Sequence, residues 1–114
     1  MIASKRRLAD DRQIKKVLQK GTTRSGSFFK IKALKNPRLL SLSRLAVVVS
    51  KKISNRAVVR NLIKRRTKAV FSEEIKGLSG YDIVVFPTKQ VEKAYFEDLK
   101  EDAKQCLKKL VSSQ

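Results

Sequence analysis

Residues 56–70 read RAVVRNLIKRRTKAV. Set at about 100° per residue, as α-helical geometry requires, they divide into two halves. Val58, Val59, Leu62, Ile63, Ala69 and Val70 fall on one, and Arg56, Arg60, Asn61, Lys64, Arg65 and Lys68 on the other. The first half predicts a helix packed on a core. The second holds five cations and an amide with no acid among them, whereas a merely solvated face interleaves Glu to pair with its bases. Cations repeated at helical spacing match a line of phosphates. Arg66 falls inside the apolar arc and is expected at its edge, snorkelling toward Glu73.

The flanks of this helix read as strands. Upstream, RLAVVVS at 44–50 is a near-continuous apolar run rich in β-branched residues, the pattern of a central strand. Downstream, Gly77 to Gly80 close the helix, and YDIVVF at 81–86 predicts a second buried strand, ended by Pro87. Farther upstream SFFKIKAL at 27–34 alternates, with Phe29, Ile31 and Ala33 on one side and Phe28, Lys30 and Lys32 on the other. That period of two predicts a strand with one basic face. The stretch from Asn36-Pro37 to Ser43 breaks the pattern and reads as a turn.

Each end of the chain adds a helix. In DDRQIKKVLQK at 10–20, Ile14, Val17 and Leu18 recur at spacings of three and four, with Asp10 or Asp11 to cap the start and Gly21 to close the end. From about Val91 to Val111 apolar residues recur at Ala94, Leu99, Ala103, Leu107 and Leu110, and the tail Ser112-Ser113-Gln114 is expected to fray. The order is helix, one or two strands, central strand, long helix, strand, helix. With 114 residues, enough for one core but short of two ordinary domains, this predicts an α+β fold: a single domain over 1–114 with helices packed on one mixed sheet.

Charge narrows the function. Lys and Arg number 28 against 10 Asp and Glu, for a net charge of +18. Residues 1–76 hold 22 of the bases and 4 of the acids, while residues 77–114 hold 6 of each. An excess confined to two-thirds of a small globule implies a polyanionic partner. The longest apolar run, Leu45 to Val49, is far too short to span a bilayer, and the first residues lack a signal peptide's apolar stretch. Nucleic acid is therefore favoured over membrane, and the cytoplasm is the expected location.

The same composition argues against chemistry by the chain itself. There is no histidine, and Cys106 is the single cysteine, so Cys/His metal clusters and Cys–His nucleophile pairs are ruled out. Cys106 reads as a small hydrophobe on a helix face. Asp10-Asp11 and Glu73-Glu74 read as helix cap and helix surface. No catalytic residue and no metal ligand is assigned.

SKK at 50–52, AVVRN at 57–61 and IKRR at 63–66 resemble the long basic motif of the bacterial ribonuclease P protein family, whose form runs roughly S-K-K, a short loop, then A-V-x-R-N-R-x-K-R. Arg60, Asn61, Lys64 and Arg65 stand in place; Leu62 replaces a usual third cation, so that cation's contacts do not carry over. The resemblance extends to Arg7-Leu8, Gly21, Phe29 and Gly80 to Val85. It implies an αβββαβα two-layer sandwich similar to the second domain of a ribosomal small-subunit protein, with a left-handed crossover around the long helix. It also implies the function of protein subunit of the ribonuclease P ribonucleoprotein. The partners would be the ribonuclease P RNA and precursor tRNA, with no obligate protein partner evident. Catalytic Mg²⁺ would be held mainly by the RNA, leaving this chain accessory to the endonuclease.

The resemblance further implies two RNA-binding faces. The basic helix and its preceding loop (Lys51, Lys52, Arg56, Arg60, Asn61, Lys64, Arg65, Lys68) would meet the ribozyme RNA, and Arg6 and Arg7 would add RNA contacts near the N-terminus. A cleft between the sheet and the first helix would take the single-stranded 5′ leader. The family's two cleft aromatics fall here at Ile14 and Leu18, and Lys30 and Lys32 stand opposite, so charge is expected to replace stacking, with Phe28 on the same strand face as a remaining ring. The rival reading is a non-enzymatic RNA-binder of ribosomal type. A DNA-binding role is weaker, because no partner helix-turn precedes the basic helix.

Overall fold

The computed structural model describes residue 8, residues 10–39 and residues 42–112. Helix α1 (Asp11–Lys20) starts where the Asp10 carboxylate accepts the Arg12 N–H at 2.9 Å, satisfying one of the first-turn amides. Strands β1 (Thr22–Ser25) and β2 (Phe29–Lys35) form a hairpin, followed by β3 (Arg44–Val47), α2 (Ala57–Glu74), β4 (Tyr81–Pro87) and α3 (Phe96–Ser112). The sheet order is β1-β2-β4-β3, with β3 parallel to β4 and the other pairs antiparallel. The fold is α+β on a mixed sheet, and the parallel pair is joined by the long basic helix.

The central position belongs to β4. It pairs on both sides and is buried at every residue except the half-buried Phe86, which is why its sequence is apolar almost throughout. The 44–50 run does not form the central strand its composition predicts: only Arg44–Val47 is strand, and it lies at the sheet edge. Leu45 and Val47 are buried while Arg44 and Ala46 are half-buried, and the Leu8 N–H occupies part of the outer edge by donating to the Leu45 carbonyl at 2.8 Å. Within Arg44–Val47 the apolar residues reflect cover on the two faces, not a second neighbouring strand, while Val48 beyond it is exposed.

Alternation on β2 divides the apolar residues between two cores. Phe29, Ile31 and Ala33 face α2 and α3, joining Val59, Ile63 and Phe71 of α2 and Leu99, Cys106 and Leu110 of α3. Phe29 and Phe71 meet edge to face at 4.9 Å, a favoured aromatic geometry. On the opposite side α1 contributes Val17 and Ile14 to a smaller cluster with Leu8, Leu34, Ala46, Val84 and Phe86.

Helix α2 is turned relative to the simple wheel. Its buried residues are Val59, Ile63, Thr67, Val70 and Phe71; Thr67 is tolerated in the core because its hydroxyl donates to the Ile63 carbonyl at 2.8 Å. Val58 is 73% exposed and Ala69 is exposed, so both leave the apolar half assigned to them. Arg66 also departs from expectation. Its guanidinium turns away from Glu73 and donates to the carbonyls of Val91 at 2.6 Å, Glu92 at 3.0 Å and Ala94. Those residues lie in and after a 3-10 turn, Lys89–Glu92, so α3 begins at Phe96 and not near Val91. The turn's carbonyls need donors, and Arg66 supplies them.

Candidate nucleic-acid interface

At the N-terminus of α2 the Arg56 side chain makes no cap bond and the first turn carries no acid, so no carboxylate of that turn offsets the positive end of the helix dipole. The preceding loop is tied to the helix: the Arg60 guanidinium donates to the Ser54 carbonyl at 2.9 Å, and the Arg56 N–H to the Ser54 hydroxyl at 3.2 Å. Arg60 therefore spends one donor positioning the loop that carries the exposed Lys51 and Lys52. Asn61, Lys64 and Arg65 are exposed and Lys68 is half-buried. With Val58 these four line an open hollow of about 560 Å³.

A second hollow of about 280 Å³ carries this surface around the edge strand. Lys64 and Lys68 line it together with Val47 and Val48 of the β3 side, Leu8, and Ile14 of α1. Lys64 and Lys68 thus belong to both hollows, and the second, apolar beyond these two lysines, reaches Ile14 on the α1 face of the sheet. On that face the Lys32 ammonium donates to the Leu18 carbonyl at 3.2 Å, and the Lys30 ammonium lies 5.2 Å from the centre of the Phe86 ring, within cation–π range. Ile14 is half-buried in the smaller core, and Leu18 is 36% exposed.

On the α1 face Lys32 reaches Leu18, Lys30 lies over Phe86, and Ile14 packs on the cluster that Phe86 also joins; Phe28 lies apart. It precedes β2, packs against the larger core and lines a different groove. The aromatic ring of the α1 face is Phe86, which the sequence reading left unassigned. Its signal was available in the alternation of YDIVVF, where Val84 and Phe86 share one side. Arg6 and Arg7 lie outside the described residues. Among the described residues no three His, Cys, Asp or Glu side chains gather as metal ligands, and no helix is long and apolar enough to cross a membrane.

A family model for ribonuclease P matches residues 2–111. The chain belongs to the ribonuclease P protein family. It is similar to the ribonuclease P protein component of a Pseudanabaena species, at 34% identity over 110 residues covering 96% of this chain and 94% of that one. The component from Bacillus pumilus is 36% identical over 104 residues, covering 90% and 86%. Among solved structures, the RNase P protein from Thermotoga maritima superposes with a TM-score of 0.73 at 29% identity, covering 91% of this chain and 94% of that one. A Staphylococcus aureus RNase P protein, at 23% identity and a TM-score of 0.75 over 90% and 93% of the two chains, shares the fold. RNA binding within ribonuclease P, in tRNA processing, is the function of the family and places the stripe of α2 in an RNA-binding protein rather than a DNA reader.

Proposed function

We propose that the chain binds the ribonuclease P RNA through the α2 stripe and its preceding loop, and holds the single-stranded 5′ leader of precursor tRNA across the α1 face of the sheet. The observation that carries this reading is the continuity of the two surfaces: Lys64 and Lys68 belong both to the stripe and to the hollow that opens toward Ile14. A precursor held on one face is thereby presented to an RNA held on the other. Lys30 and Lys32 supply cations along the leader path, and Phe86 offers a ring on which a base can lie.

In this account phosphodiester hydrolysis takes place on the RNA, which holds the Mg²⁺ ions that activate water. The chain contributes positive charge between two polyanions and orients the leader, and it acts in the cytoplasm. The test is the affinity of the reconstituted holoenzyme for precursor and mature tRNA. Lys30→Ala with Lys32→Ala weakens precursor tRNA and leaves mature tRNA, which has no leader, almost unchanged. Equal loss for both ligands at fixed salt would assign the two lysines to general RNA contact and remove the leader path.

A further inference from the structure

A groove of about 570 Å³ lies where β2 begins and β4 ends, outside both surfaces described above. Phe28 lines it together with the exposed Tyr95, and Lys89 and Lys93 are balanced there by Glu92 and Asp98. Tyr95 is 81% exposed, the barest large ring in the described chain.

Both walls are held from behind by charged side chains. The Asp102 carboxylate accepts three successive backbone N–H groups, Ser27 at 2.7 Å, Phe28 at 2.9 Å and Phe29 at 3.1 Å. The carboxylate sits so close to the hairpin that a Cβ on Gly26 would come within 2.3 Å of Oδ1, so Gly26 is what allows the approach. On the other wall Arg66 grips the carbonyls of Val91, Glu92 and Ala94, and the Tyr95 carbonyl accepts the Asp98 and Leu99 N–H groups that open α3. A bare aromatic on a backbone tied on both sides needs no backbone ordering to stack on a ligand.

The groove adjoins the proposed leader path. Lys30 is paired in register with Phe86 and Phe29 with Pro87, and the Thr88 N–H donates to the Phe28 carbonyl at 2.9 Å. Two residues of strand, roughly 7 Å, separate the Lys30–Phe86 pair from Phe28, whose ring packs with the larger core on the other side of the sheet, so a strand passing from one to the other turns around the end where β2 begins and β4 ends. The charge changes over that distance, from a cationic face to a neutral aromatic slot. A neutral slot suits an unsaturated flat ring better than a phosphate, and the neighbouring cations suit the backbone that carries it.

We infer that the Phe28–Tyr95 groove is a base-stacking subsite for a distal nucleotide of the single-stranded leader, reached after the strand passes Lys30 and Phe86. The inference rests on the leader path proposed above, and the experiment separates the two. The holoenzyme is assembled with a ribonuclease P RNA and titrated with two precursor tRNAs, one whose leader ends on the lysine face and one whose leader continues past it. Tyr95→Ala loses about five- to tenfold in affinity for the long-leader substrate and nothing for the short one, and Tyr95→Phe, which keeps the ring, retains wild-type binding. Lys30→Ala with Lys32→Ala weakens both substrates. If the lysine pair matters and Tyr95→Ala leaves the long leader untouched, the subsite is wrong and the path stands. Equal loss for both leaders in Tyr95→Ala also overturns the subsite, while no effect of any variant on either leader overturns path and subsite together.

Discussion

Arg44 and Asp82 form a two-point pair across the parallel strands, Nε to Oδ1 at 2.8 Å and Nη2 to Oδ2 at 3.1 Å. Asp82 is 1% exposed and takes a further bond from the Asn36 amide at 2.9 Å, whereas the Arg44 side chain keeps 24% of its surface in water. The exposed partner can recover solvation when left alone and the buried one cannot. Arg44→Ala is therefore expected to cost more than Asp82→Ala, about 3 kcal/mol against about 1 to 2. Urea denaturation of the two variants checks the order.

Val58 and Val59 are neighbours in sequence with opposite surroundings, 73% and 8% exposed. Val59→Ala removes core packing and is expected to cost about 1 to 3 kcal/mol, while Val58→Ala stays within about 0.5 kcal/mol. Thermal melts of the pair measure how α2 is turned on its core.

Replacing Lys64 and Arg65 by Ala leaves the fold intact, because both are exposed on the outer side of α2. RNA affinity falls and the slope of log affinity against log salt decreases by about one to two. Filter binding across a salt series reads this directly, and an unchanged slope removes phosphate contact from these two residues.

Cys106 is fully buried, and burial, reinforced by Asp102, pushes its thiol from the ordinary 9.0 up to about 11. A thiol protonated more firmly in the folded than in the unfolded chain adds stability that is complete below pH 9 and is lost as pH rises toward 11. Cys106→Ala is expected to flatten that alkaline decline in melts recorded over the window. Native protein should also react with a thiol reagent only as fast as it opens.

The parts of the molecule legible in sequence are those set by local periodicity. Asp10 and Gly21 bracket α1, the alternation of β2 places Lys30 and Lys32 opposite its core residues, and the apolar run 83–86 within β4 marks a strand covered on both faces. What escaped depends on partners distant in the chain. TTRS at 22–25 has no apolar alternation and becomes β1 only by pairing with β2. The run at 44–50 lies at an edge because β4 comes between it and β2. Arg66 finds its acceptors 25 to 28 residues away, beyond the reach of any helical wheel. For the site, the cations of α2 and β2 were readable by spacing alone. Which aromatic joined them was decided by strand register, which put Phe86 beside Lys30 and turned Phe28 toward Tyr95.

The most direct measurement is cleavage of a precursor tRNA by a bacterial ribonuclease P RNA at low Mg²⁺, with and without this chain. The chain is expected to raise the rate of 5′ leader removal, the Lys64→Ala, Arg65→Ala variant to do so only at higher protein concentration, and excess Mg²⁺ to narrow the difference. A rate that is the same with and without the chain, under conditions where the chain binds the RNA, would contradict this expectation.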